Sequence, residues 1–143
     1  MKVLVSRQGW EGKVPRELVR SVLQKVFEIA GREGEVSVLV VDDREMRRLN
    51  LEYRHIDSST DVLSFALNEG SDLDLHPEML GDIVVSMETA ARQAAESGRP
   101  MEKELSWLLV HGALHLLGYD HERSQKEAAA MRELEKRILD HFP

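Results

Sequence analysis

Three of the six histidines in this 143-residue chain fall close together, at His111, His115 and His121. On a helix, an i, i+4 pair such as His111 and His115 projects both rings from one face, about 6 Å apart along the axis. That is the spacing at which two imidazoles can reach one cation. Were the helix to continue, His121 would lie about 15 Å from His111 and could share no ion with it. Gly118, the residue type that best tolerates the left-handed conformation ending many helices, breaks the run and lets a third histidine turn back. Three neutral imidazoles with a fourth position open to water is the arrangement of catalytic rather than structural zinc. The alternative is that His111 and His115 are hydrogen-bonded core residues and His121 lies on the surface. Two adjacent buried imidazoles need partners to offset their desolvation, which favours ligation. His55, His76 and His141 share no such spacing and read as surface residues.

The segment carrying the pair is apolar nearly all round, from Leu105, Trp107, Leu108, Leu109 and Val110 to Ala113, Leu114 and Leu117, which predicts a central buried helix over Met101 to Leu117. Its supports are legible in the rest of the chain. Lys2 to Ser6 alternates as a short strand, and Pro15 opens a helix with Leu18, Val22, Phe27 and Ala30 near helical spacing, ended by Gly31 to Gly34. Val36 to Val41 is a continuous apolar run, the pattern of a central strand buried on both faces. Asp42 with Glu45 forms a capping box for a helix from Asp43 to about Tyr53. Strands over Asp61 to Leu67 and Asp82 to Ser86 flank a loop, Asn68 to Leu80, with Gly81 read as a turn residue between that loop and the second strand. An alanine-rich helix from Ser86 or Met87 to near Gly98 precedes the histidine helix, and another fills Ser124 to His141. The order β-α-β-α-β-β-α-α-α predicts an α/β (α+β) fold, a small mixed four-stranded sheet packed with about five helices, as a single domain over residues 1–143.

Composition narrows the chemistry further. Apolar residues make up 42% and charged residues 31%, with no cysteine, so disulfides and thiolate ligation are excluded. No apolar run approaches the roughly 18 residues of a membrane span, and Val3 to Val5 is too short for a signal-peptide core, so a soluble, cytoplasmic protein is expected. No P-loop, dinucleotide-binding glycine motif or nucleophile elbow is present. The net charge of −7 is concentrated in residues 51–100, which leaves a basic strip of Arg44, Arg47 and Arg48 on one short helix. Those arginines are candidate phosphate contacts for a nucleic acid, or simply a solvated helix face.

From His111 to His121 the chain matches the metzincin protease motif at its three histidines and its glycine, but Gly112 stands where those enzymes carry the glutamate base. The same block, H-G-x-L-H-L-x-G-Y-D-H, occurs with Thr60-Asp61-Val62-Leu63-Ser64-Phe65, Leu80-Gly81-Asp82-Ile83 and Leu49-Asn50-x-x-Tyr53-Arg54. Together these segments resemble the YbeY endoribonuclease family. The resemblance implies a metal-dependent, single-strand-specific endoribonuclease of bacteria, acting in late ribosome maturation at the 3′ end of 16S rRNA and in ribosome quality control. It implies one zinc ion per chain on His111, His115 and His121, a histidine helix at the centre of a small mixed sheet, and no membrane association. The implied partners are ribosomal RNA, the small ribosomal subunit, and a ribosomal protein or an Era-type GTPase.

Zinc can polarise a phosphoryl oxygen and activate water without a protein base, which would make Gly112 tolerable. Negative charge gathering on the phosphoryl group calls for a nearby cation, and Arg54, which resembles the family's functional arginine, is the catalytic candidate; its plainer role is a cation at a helix C-terminus. Asp61, Asp82 and Asp120 are candidates to accept the second ring N–H of a ligating histidine, or else local turn and strand-end residues. Three functions stay open: a metal-dependent ribonuclease, a metallohydrolase of another substrate class such as a peptidase lacking the glutamate base, and a non-catalytic ribosome-binding module with structural zinc.

Overall fold

The structure is a computed structural model and describes residues 1–67, 79–120 and 122–142. His76 and most of the acidic loop lie outside the described residues, as does His121. The elements follow the predicted order: β1 (Lys2–Gln8), α1 (Arg16–Ala30), β2 (Glu35–Val41), α2 (Asp43–Arg54), β3 (Val62–Ala66), β4 (Met79–Ser86), α3 (Met87–Ser97), α4 (Met101–Leu116) and α5 (Gln125–Leu139). Three helices begin at side-chain caps, of which Asp42 is the one read from the sequence. The side chains of Asp42, Ser86 and Ser124 accept the backbone N–H groups of Glu45, Thr89 and Glu127 at 2.9, 3.3 and 3.0 Å. Among the described residues no helix is long and apolar enough to cross a membrane.

The four strands lie in the order β1-β2-β4-β3, with β1, β2 and β4 parallel and β3 antiparallel to β4. This is the mixed sheet the pattern predicts, with two corrections. First, β4 begins at Met79 rather than Asp82. Its pairing with β2 jumps from Glu35 and Met79 to Val36 and Gly81, leaving Leu80 as an extra residue. Gly81 therefore belongs to the strand and not to the turn, with φ +150°, and a Cβ there would overlap the Phe65 carbonyl. Second, β2 is an inner strand but is not equally buried on its two faces: Val36, Val38 and Val40 are buried, whereas Ser37 and Leu39 are only partly covered. The face carrying the valines packs under α1, α3, α4 and α5 in the main core, while among the described residues the other is covered by α2, through Met46 and Leu49 against Val41 and Val84.

Helix α4 touches α1, α3, α5, β3 and β4, so it occupies the centre as its apolar sequence predicts. What lets it lie close on the sheet is Gly112. A Cβ at that position would stand 3.1 Å from methyl carbons of both Ile83 and Val62, and Ser64 Oγ, 2.8 Å from the Gly112 carbonyl oxygen, donates to it. Gly112 thus faces β3 and β4. A glutamate there would be driven into the sheet, which is the physical reason this helix carries no base beside its histidines. Replacing Gly112 with valine should overpack this contact and destabilise the fold by about 1–3 kcal/mol, seen as a lower melting temperature in calorimetry; an unchanged or raised melting point would contradict the packing described.

Asp43 ties α2 to the rest. Its carboxylate accepts hydrogen bonds from Ser86 and Thr89 hydroxyls at 2.6 Å, Arg92 Nη1 at 2.7 Å and Ser59 Oγ at 3.1 Å. Burial opposes its ionisation, but the donors from Ser86, Thr89, Arg92 and Ser59 outweigh that and hold the carboxyl well below the usual carboxylate range. A carboxyl depressed on folding contributes stability in full above its unfolded pKa of about 3.9 and loses it as pH falls toward the folded value. Denaturant titrations below about pH 4 should therefore show a shallower loss of stability with acid in Asp43→Asn than in the parent chain. Parallel curves would contradict this role.

Candidate metal centre

Residues Glu104, Trp107, His111 and His115 recur at i, i+3, i+7 and i+11, one stripe of α4. At its C-terminal end the two histidine rings converge. Their Nε2 atoms lie 3.1 Å apart, with ring centroids 4.6 Å apart and planes at 76°. Two nitrogens bound to one tetrahedral ion at about 2.0–2.1 Å would stand about 3.3 Å from each other, so the pair fits a shared cation with little movement. Trp107 stacks on the outer side of His111, its ring centroid 5.2 Å away and nearly parallel at 18°. The other nitrogen of His111, Nδ1, lies 3.1 Å from Glu135 Oε1 on α5. A neutral ring that gives its Nδ1–H to a carboxylate presents the Nε2 lone pair outward, the arrangement that orients metal-binding histidines elsewhere.

Helix α4 ends just beyond His115. Gly118 adopts φ +95°, and the N–H groups of Gly118 and Tyr119 bond back to the carbonyls of His115 and Leu114 at 3.0 Å, so the chain turns sharply where the glycine predicts it. His121, the third expected ligand, lies outside the described residues. Among the described residues no group of three histidine, cysteine or carboxylate side chains surrounds one point.

The histidines open into a cleft of about 370 Å³ whose lining includes Arg54, Asp61, Ser64, Tyr119, Asp120 and Arg123. Arg54, the last residue of α2, reaches it by donating Nη2–H to the Ser64 carbonyl at 2.6 Å while its guanidinium carbon sits 4.8 Å from the centre of the Phe65 ring. His55 follows in a left-handed conformation at φ 61° and closes the helix behind it. Arg54, His111 and His115 thus line one cleft. Asp61 and Asp120 also line the cleft, and each accepts hydrogen bonds there. Asp61 accepts the Val62 N–H at 2.7 Å and Gln93 Nε2 at 3.2 Å, and Asp120 accepts the Glu122 N–H at 2.8 Å.

Other expected site residues lie elsewhere. Asp82 alternates away from Ile83, so it faces the α2 side of the sheet, accepts a hydrogen bond from Ser37 Oγ, and cannot support a histidine of α4. Arg47 and Arg48 form no free basic strip. Arg47 pairs with Asp57 at 2.7 and 3.2 Å, and Arg48 with Glu45 at 2.6 Å and Glu52 at 2.9 Å; these partners raise both guanidinium pKa values further. Arg44 and Arg47 border a separate shallow cleft with Asp57. The sequence reading missed Glu135 and Arg123. Glu135 had a signal: it falls four residues after buried Met131 and three before buried Ile138, an acid on the inward stripe of α5. Arg123 had none beyond its nearness to the histidine block.

Comparison with known proteins extends the match along the chain. The family model described as Endoribonuclease YbeY matches residues 5–143. A protein of Desulforamulus reducens named Endoribonuclease YbeY is 48% identical, covering 98% of this chain and 96% of its own length. One of the same name from Syntrophotalea carbinolica is 45% identical over 91% of this chain and 86% of its own length. A Thermotoga maritima protein solved in solution superposes with a TM-score of 0.66 at 31% identity, covering 96% of this chain and 87% of that one.

Proposed function

Because the chain belongs to the YbeY endoribonuclease family, we propose that it is a zinc-dependent, single-strand-specific endoribonuclease acting on ribosomal RNA. The observation that carries the metal assignment is the approach of the His111 and His115 Nε2 atoms to 3.1 Å beside the Glu135 contact. In this reading His111, His115 and His121 hold one zinc ion. The ion supplies a Lewis acid for the phosphoryl group and a means of activating water near neutral pH. The remaining work falls to the chain itself. Glu135 fixes the His111 ring; Arg54 has further N–H donors beyond the one given to Ser64, and lies where negative charge collects on the scissile phosphate. Arg123 also lines the cleft, where it faces Asp120 and Glu127 at 3.6 Å. Asp61 and Asp120 shape the cleft walls through their local bonds. The place of action is the cytoplasm, with ribosomal RNA and the small ribosomal subunit as partners and a ribosomal protein or an Era-type GTPase as further ones. The position at which metzincin proteases carry their glutamate base is Gly112, which packs against Ile83 and Val62 of the sheet.

Elemental mass spectrometry of the purified chain should find one zinc per molecule, retained with RNA cleavage in the parent and lost together in His115→Ala. Glu135→Gln should keep the fold but bind zinc about 10–100-fold more weakly in competition with a chelator. Equal zinc binding by His115→Ala would remove the ligand assignment, and unchanged affinity in Glu135→Gln would remove the orienting role. Arg54→Lys keeps the charge but loses the planar fork, so kcat on a single-stranded RNA should fall by about 10²-fold with zinc content unaltered. Full activity in that variant would exclude Arg54 from the reaction.

A further inference from the structure

A second cleft between α3 and α4, bordered by Asp61, Gln93, Glu96, Arg99, Glu104 and Trp107, shares Asp61 and Trp107 with the lining of the histidine cleft. Glu104 is only 3% exposed, and its Oε2 makes no hydrogen bond. Arg99 Nη2 stands 3.2 Å from that oxygen, near enough for charge attraction but off hydrogen-bond alignment, with the Arg99 side chain itself 47% exposed. A buried carboxylate oxygen without a hydrogen bond is costly, and a ligand N–H would relieve the cost.

The lining decides what kind of ligand. Three carboxylates against one guanidinium repel a phosphate, so this cleft does not continue the anionic path past Arg54 and Arg123. It is rich in acceptors, and it has an aromatic wall in Trp107. A flat, uncharged group with N–H donors on one edge suits it, which among RNA components means an amino-bearing base. Guanine fits the pair Glu104 and Arg99 best: its ring N–H and 2-amino group are adjacent donors for a carboxylate, and the neighbouring O6 accepts from a guanidinium. Adenine offers one amino donor beside an acceptor, and uracil one N–H between two carbonyls. Glu104 and His111 are seven residues apart on one helix, about 10 Å along its axis. A base held there would belong to a nucleotide beside the one at the histidines.

We propose that the α3–α4 cleft is a guanine-preferring nucleobase subsite, with Trp107 as stacking platform, Glu104 accepting from the base edge and Arg99 donating to its O6. This rests on the reading of the histidine cleft as a ribonuclease centre, and it assigns a sequence preference that the metal chemistry alone does not require. Titration calorimetry of the zinc-loaded chain with guanosine, adenosine and uridine 5′-monophosphates isolates the base, because the phosphate is common to all three. Guanosine monophosphate should bind at least tenfold more tightly than uridine monophosphate, and Glu104→Gln should bring the two within about twofold while melting normally. Equal affinities in the parent chain overturn the subsite, and a preference that survives in Glu104→Gln overturns the role of Glu104. Should the variant not fold, the parent comparison alone decides. RNA cleavage by the same parent sample is measured alongside: no cleavage with an intact guanine preference removes the ribonuclease reading, whereas cleavage with equal affinities removes only the subsite.

Discussion

Two imidazoles on successive turns of a helix, with their Nε2 atoms 3.1 Å apart, set the terms for the rest of the molecule. Neutral rings at that separation share either a proton or a cation, and each choice needs the rings held against their own rotational freedom. Trp107 packs one side of His111, Glu135 holds its Nδ1, and the buried length of α4 fixes the backbone from which both rings project. The fold can be understood as the set of contacts that keeps this helix in place. Helices α1, α3 and α5 and strands β3 and β4 surround α4, and Gly112 leaves no side chain to hold it off β3 and β4. The constraint also separates two roles that fall on neighbouring residues: position 112 serves packing, positions 111 and 115 serve the site.

Much of this is written in local sequence. The apolar circumference of α4 predicts its central place, the i, i+4 histidines their shared face, and Gly118 the sharp exit from the helix. Asp42, three residues ahead of Glu45, marks the start of α2, because a short polar side chain there accepts an orphan N–H; Ser86 and Ser124 do the same for α3 and α5. The last turn of α2 ends beside β3, and the Ser64 carbonyl accepts from the Arg54 guanidinium.

What the sequence could not supply depends on pairing across the chain. Asp82 lies one residue from Ile83, and strand alternation sends their side chains to opposite faces; only the register of β4 on β3 and β2 decides which face meets the histidines. That register turns on the extra residue at Leu80, which linear pattern reading placed in a loop. Arg47 and Arg48 look like a basic strip until the chain brings Asp57, Glu45 and Glu52 to them. Glu135 reaches His111 from 24 positions away, so no motif spacing contains it. The buried Glu104 is another such case: as sequence it is one acid among several at the start of a helix, and only the packing of α3 beside α4 makes it an enclosed one.

The most direct test of the central claim is X-ray absorption at the zinc edge of the metal-loaded protein. A shell of nitrogen ligands at about 2.0–2.1 Å with the outer scattering of at least two imidazoles is expected. A zinc shell without imidazole scattering would contradict the shared-ion account, and would leave the contact between His111 and His115 as a hydrogen bond within the core.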